Sequence, residues 1–205
     1  MANSARTRKR SEDRREDLIK ATLEAVGEAY SLEVTVGEIA QRAGVSSALA
    51  HHYFGGKDDL FLAAMRSLMT AFRQDVVARL RACRTARDRL SAIVRASFAP
   101  QQFAPSTVAA WVIFYARSGS SPRFARLLRI YVRRLRANLM HELKNCAVLE
   151  DPESAAEAIG AMIDGLYLRQ GLRHAPPDPD KCIAITEAVI DDLLARGRST
   201  VRPTA

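Results

Sequence analysis

A chain of 205 residues with 48% hydrophobic and 26% charged content is long enough to bury a substantial core, in one large or two modest domains. Its formal net charge of +8 and isoelectric point near 9.9 suit a polyanionic partner. No apolar run approaches the roughly 18 residues needed to span a bilayer, and the start lacks the apolar segment of a signal peptide, so a cytoplasmic protein with no membrane partner is expected.

Residues 1–11 read as a basic arm carrying Arg6, Arg8, Lys9 and Arg10, with Arg14 and Arg15 just beyond it. Disordered without DNA, such an arm can follow a nucleic-acid backbone or enter a minor groove, or simply solubilise the chain. A first helix is predicted from near Glu12 to Tyr30, burying Leu18, Ile19, Thr22, Leu23 and Val26. The stretch from Thr35 to Leu60, TVGEIAQRAGVSSALAHHYFGGKDDL, then reads as two short helices joined by a tight turn. Thr35 can cap the first of them, whose buried side is Val36, Ile39 and Ala40, and Gly44 sits where the chain must leave that helix in a left-handed conformation. Ser46 restarts the chain as a helix able to enter a major groove. Ser47 can bond a base or a phosphate, Ala48 can touch a thymine methyl, and His51 and His52 can donate to a guanine or a phosphate or lie idle at the surface. Tyr53 suits a backbone contact, and Phe54 suits the core.

The ordered set Ile39, Ala40, Ala43, Gly44, Val45, Ser46, His52, Tyr53, Phe54, Lys57 and Leu60 resembles the DNA-binding domain of TetR-family repressors. The resemblance implies that Thr35 touches a phosphate, that Ser46 to Tyr53 read bases, and that Lys57 holds the backbone at the start of the next helix. Thr35 as a cap alone stays equally open. Tyr30 falls where relatives commonly carry glycine, so the exit of the first helix is expected to be shaped differently.

Beyond this block, apolar residues recur at helical spacing without alternating strand-like segments, so the fold class is all-α with about nine helices. The expected domains are the arm, a helix-turn-helix unit over 12–56, an effector and dimerisation domain over 57–196, and a tail over 197–205. A connector helix over 57–83 buries Leu60, Phe61, Ala64, Leu68, Ala71 and Phe72. Later helices are predicted over 86–98, 106–118, 122–147, 152–173 and 179–196, separated by Pro100 and Pro105, GSSP, EDPE and APPDPD. On the 122–147 helix, Phe124, Leu128, Tyr131, Leu135 and Leu139 define the buried side, and Arg126, Arg129, Arg133 and Arg136 a solvated stripe. The resemblance implies a homodimer through the last two helices, with Ala155, Ile159, Met162, Ile163, Ile185, Val189 and Leu193 at the interface, and an inverted-repeat operator in double-stranded DNA.

The segment AWVIFYA places Trp111, Phe114 and Tyr115 on one helix face. With IDGLYLR it resembles the effector domain of BetI-type repressors, choline-sensing regulators of glycine betaine synthesis. On that resemblance Trp111, Phe114, Tyr115 and Tyr167 cage a quaternary ammonium ligand, with Asp164 nearby for charge. Read from the residues alone, the same cluster is ordinary core and Asp164 a cap or an arginine's partner. A regulator sensing an apolar or anionic compound, and a basic helical adapter or RNA-binding protein, remain as rivals.

Cys83, Cys146 and Cys182 contain no CxxC pair, and His51, His52, His141 and His174 no metal-ligand spacing. No nucleophile elbow or glycine-rich phosphate loop occurs. The expectation is no enzyme, no catalytic residue, no metal and no cofactor.

Overall fold

The structure is a computed structural model that describes residues 2–146, 149–173 and 175–200, with side chains described only between Ser11 and Arg196. Its helices are α1 (Ala2–Ala29), α2 (Val36–Arg42), α3 (Ser47–Phe54), α4 (Lys57–Leu80), α5 (Ala86–Ser97), α6 (Pro105–Ser118), α7 (Pro122–Lys144), α8 (Pro152–Gly171) and α9 (Pro179–Thr200), and no strand occurs among the described residues. Four of the prolines in the second half of the sequence are helix starts. Pro105, Pro122, Pro152 and Pro179 each open a helix, where the missing N–H costs nothing and the fixed φ is already helical. Two other helices start with capping boxes, Thr35 with Glu38 on α2 and Thr85 with Asp88 on α5.

Two apolar cores form, and α1 and α4 belong to both. Leu18, Ala21 and Ala25 of α1 pack with Ile39, Ala40, Ala50 and Leu60 in the smaller core. The very next residue, Val26, joins the larger core with Phe61, Leu62 and Met65 of α4 and the inner faces of α5 to α9. Where α1 crosses α6 the backbones meet at Gly27, whose added Cβ would lie 2.5 Å from the Ser106 Cα. Arg89 of α5 bonds the buried Glu142 of α7 at 2.7 Å, and Arg87 bonds Glu187 and Asp191 of α9 at 2.6 and 2.8 Å, so α5 is pinned to both neighbours.

Several expectations are corrected. Helix α1 begins at Ala2 rather than near Glu12. No Gly or Pro interrupts residues 2–26, and Ala, Arg, Lys and Glu propagate a nucleated helix readily. The arm's Arg6, Arg8, Lys9 and Arg10 side chains lie outside the described residues, as does His174. Tyr30 adopts φ 48°, so the exit of α1 has the left-handed shape expected of glycine, with the ring largely in solvent. On α4, Ala71 is exposed, and on α7 it is Leu127 rather than Leu128 that is fully buried. Ala155, Ile159 and Ile163 are buried within the chain's own core. They are therefore removed from the predicted dimer surface, whose remaining members Met162, Ile185, Val189 and Leu193 are exposed or half-buried.

Gly27→Ala should force α1 and α6 apart, because the obstructing atoms are backbone. Overpacking of this kind costs about 1–3 kcal/mol, and in a chain of this size each kcal/mol lowers Tm by roughly 2–4 °C. A thermal melt unchanged from that of the parent protein would show that the crossing has slack.

Candidate nucleic-acid interface and effector site

The turn between α2 and α3 is closed by its own backbone. Gly44, at φ 66°, donates its N–H to the Gln41 carbonyl at 3.1 Å, and Val45 donates to that of Ala40 at 3.0 Å. This is the paired C-terminal closure that a left-handed residue permits. Ser46 then caps α3 by accepting from the Leu49 N–H at 3.2 Å. Ala50 seats α3 on the small core, leaving Ser46, Ser47, Ala48, His51 and His52 exposed on its outer side.

Not all of these side chains are equally available. The Nδ1 of His51 lies 2.6 Å from the Gly55 carbonyl oxygen, so the proton belongs on Nδ1 and only Nε2 faces outward. His52 makes no side-chain hydrogen bond among the described residues. The Thr35 hydroxyl accepts from the Glu38 N–H at 3.1 Å and donates to the Glu38 carboxylate at 2.9 Å. It is thus a complete cap, and a phosphate must displace that carboxylate to reach it. Tyr53 is half-buried, its hydroxyl accepting from Ser11 at 3.1 Å and its ring lying 5.8 Å from the Arg15 guanidinium.

Lys57 is exposed in the first turn of α4, beside Asp58 and Asp59. Both carboxylates are engaged from the larger domain, Asp58 by Arg117 of α6 at 3.1 Å and Asp59 by Arg123 of α7. The two arginines offset the acidic pair that would otherwise oppose a phosphate at Lys57.

In the larger domain, Trp111 is the hub of an aromatic cluster. Its ring centroid lies 4.7 Å from that of Tyr131, 5.6 Å from Phe114, 5.7 Å from Tyr115 and 5.9 Å from Tyr167. Tyr115 and Tyr131 both donate to the same oxygen of Asp164, at 2.8 and 3.0 Å. Tyr131 was assigned to the core from helical spacing. The requirement that a buried phenol find an acceptor was the signal that could have placed it in the site. Phe114 touches Trp111 but also packs on Phe124, which continues the stack to Phe61 of α4. Tyr167 donates its hydroxyl to the Ser97 carbonyl and stacks on Phe98, so its polar group is committed away from Asp164.

The electrostatics of this cluster are unbalanced. Burial, the largest influence, holds the Asp164 carboxyl above the ordinary carboxylate range, with Glu157 adding to the rise and the two phenols opposing it. Burial foremost, and then the Asp164 charge, drives the Tyr115 and Tyr131 phenols upward, so they remain donors. Among the described residues no cation lies within ion-pair distance of Asp164, so the expectation of an arginine partner is corrected. The Trp111 indole N–H is also buried without a partner, a deficit of about 1–3 kcal/mol. The site thus has an electron-rich floor, a desolvated carboxylate and one unused donor.

No described helix is long and apolar enough to cross a membrane, and no group of three or more metal-ligating side chains forms among the described residues.

Known proteins resemble both parts of the chain. Residues 18–64 match the family of bacterial regulatory proteins of the tetR type, and residues 86–195 match the C-terminal domain of BetI-type transcriptional repressors. The chain is 48% identical to the HTH-type transcriptional regulator BetI of Rhizobium meliloti, over 87% of this chain and 88% of that protein. With the corresponding BetI of Brucella anthropi it shares 47% identity, over 86% and 91%. Among solved structures, a protein described as a transcriptional regulator from Pseudomonas aeruginosa PAO1 superposes with a TM-score of 0.72 at 31% identity, covering 93% of this chain and 95% of that one. Another regulator, from Saccharomonospora viridis and solved in complex with choline, shares the fold with a TM-score of 0.76 at 21% identity, over 86% and 95%. From its reading head to its effector domain, the chain belongs to the TetR family of DNA-binding transcriptional regulators, as a member of the BetI-type repressors.

Proposed function

We propose that the protein is a homodimeric cytoplasmic repressor that grips an inverted-repeat operator with α3 of each protomer and is released by choline or a closely related quaternary ammonium compound. The observation that carries the ligand reading is the Asp164 carboxylate, held by two phenols beside the Trp111 ring with no cation among the described residues to neutralise it. A trimethylammonium group offers no hydrogen-bond donor and is held by ring faces, while its charge compensates the carboxylate. The hydroxyl of choline can accept from the orphaned Trp111 N–H. A ligand ending in a carboxylate would meet Asp164 as a like charge, so choline is favoured over its acid. The choline complex of the Saccharomonospora viridis regulator supports the same chemistry on the same fold.

Trp111, Phe114, Tyr131 and Tyr167 are buried and already pack against one another, and among the rings Tyr115 is half-buried. Admitting the ammonium group therefore requires the rings to part, with the half-buried Tyr115 giving up its bond to Asp164 as it swings. That rearrangement moves α6, whose Arg117 holds the first turn of α4 next to Lys57. A ligand that prefers the parted state lowers operator affinity, and the coupling is reciprocal.

In the reading head, Lys57 and Tyr53 hold phosphates while Ser47, Ala48 and His52 face base edges. His51 approaches through Nε2 alone, accepting from a base amine when neutral and donating to a phosphate when protonated. Ser46 and Thr35 fix the two helix starts, with Thr35 reaching phosphate only by exchanging Glu38. The dimer forms on the outer faces of α8 and α9, where Ala158, Ala161, Met162, Ile185 and Val189 are exposed or half-buried. Small residues there allow close approach of two helices.

Choline titrated into the protein–operator complex at fixed salt should lower operator affinity roughly 5- to 150-fold. Asp164→Asn should abolish that response while leaving operator binding intact; a retained response would remove the carboxylate from the site. Lowering the pH toward the raised Asp164 value should weaken choline binding. Between the ordinary aspartate value and the raised one the fold holds a proton that the unfolded chain lacks, so for this group the unliganded fold gains stability as pH falls while cation affinity declines.

His52→Ala should reduce specific operator binding by about 1–3 kcal/mol and leave nonspecific DNA binding nearly unchanged. Equal losses in both, measured in parallel titrations, would assign His52 to phosphate contact.

Ala161→Arg should yield a folded monomer by light scattering that still binds choline but has lost the operator. A stable dimer in this variant would place the interface elsewhere.

A further inference from the structure

Between the middle of α4 and the middle of α7 lies a groove of about 420 Å³ that the effector reading does not use. Its floor is Met69, Phe72, Tyr131 and Leu135, and its rim carries Arg73 and Arg134. The volume lies in the range of small-molecule sites, which pair an apolar lining with a few placed polar groups. Both arginines are exposed, and neither makes an ion pair or side-chain hydrogen bond among the described residues. The walls offer them no internal partner either. From Leu60 to Gln74 on α4 and from Pro122 to His141 on α7 there is no Asp or Glu, while eight arginines occur. An apolar trough under a one-signed, unneutralised rim complements a molecule with a hydrocarbon body and a single negative head.

We infer that the α4–α7 groove is a second ligand site, selective for an amphipathic organic monocarboxylate, with Arg73 and Arg134 holding the carboxylate and Phe72, Tyr131 and Leu135 the tail. It differs from the cation site in the sign of its charge and shares with it only the Tyr131 ring, whose hydroxyl points to Asp164. The inference rests on the groove and its arginines, not on the choline reading.

Octanoate is a suitable probe, with octanol as its uncharged counterpart. The sole tryptophan, Trp111, has its ring centroid 4.7 Å from that of Tyr131, so a tail laid on Tyr131 should change tryptophan emission. Calorimetry should give one octanoate per chain, accompanied by the emission change, and octanol should bind at least about tenfold more weakly. The double variant R73Q/R134Q, checked by thermal melt, should lose octanoate affinity at least about tenfold while its choline titration matches that of the parent protein. Three results would overturn the proposal: no octanoate binding, octanol binding as tightly as octanoate, or unchanged octanoate affinity in the double variant. Because choline is titrated separately, failure of the cation site leaves a distinct signature.

Discussion

The first turn of α4 is the constraint on which the arrangement depends. Lys57, Asp58 and Asp59 are consecutive, and the two carboxylates face arginines from the C-terminal end of α6 and the N-terminal end of α7. Each ion pair is partly exposed and contributes modestly to stability. Its larger consequence is geometric, since the residue next in line is the cation proposed to hold DNA. Both cores also draw on α1 and α4, so the reading head has no hinge of loop between itself and the larger domain. Helix α6 is therefore tied to the helix-turn-helix unit at two places, the Arg117–Asp58 pair and the tight Gly27–Ser106 crossing. Rigid packed elements of this sort transmit small displacements because they cannot deform locally.

The aromatic cluster shows that a stable fold can hold an unfavourable local arrangement, which the proposed cationic ligand would relieve. A partly desolvated carboxylate without a cation and a buried indole without an acceptor both oppose folding. The two phenols reduce the first cost without removing it, because they supply hydrogen bonds and no positive charge. A protein arginine in that position would have stabilised the empty state and left nothing for a cationic ligand to neutralise. The many arginines of α7 instead lie on its outer side, with Arg126, Arg129 and Arg133 exposed and Arg136 bonded to Glu153. This distribution keeps the anionic centre available.

The parts of this molecule legible in the sequence are those fixed by local chemistry. Gly44, Ser46 and Thr35 each specify a backbone conformation within four residues, and the turn between α2 and α3 follows from them. The prolines marked boundaries for the same reason. What escaped was set by tertiary context. An apolar stripe on α8 shows that a face must be buried but not whether the same chain or a second copy buries it, and Ala155, Ile159 and Ile163 went to the former. Tyr131 looked like one more core residue because periodicity records position on a helix and is silent on where a hydroxyl points. Tyr30 shows the converse, since the local steric preference against positive φ is real but smaller than the packing that fixes the end of α1.

Charge gives the most instructive mismatch between composition and place. The net +8 of the chain first suggested a nucleic-acid partner, yet residues 12–56 carry only Arg14, Arg15, Lys20 and Arg42 against eight carboxylates. The helix-turn-helix unit is therefore acidic by itself. Several of its carboxylates have structural duties, Glu38 completing the cap of α2 and Glu28 pairing with Arg42 at 2.7 Å. The basic residues nearest this unit lie at its edges, Lys57 at the start of α4 and the basic segment at the start of α1, where the proposed attraction to DNA is concentrated. Much of the remaining excess sits on α7, away from the recognition helix. Net charge thus pointed to the right class of partner while locating its contacts poorly, because helix-end chemistry and a small number of placed cations, rather than the overall balance, determine where a phosphate can sit.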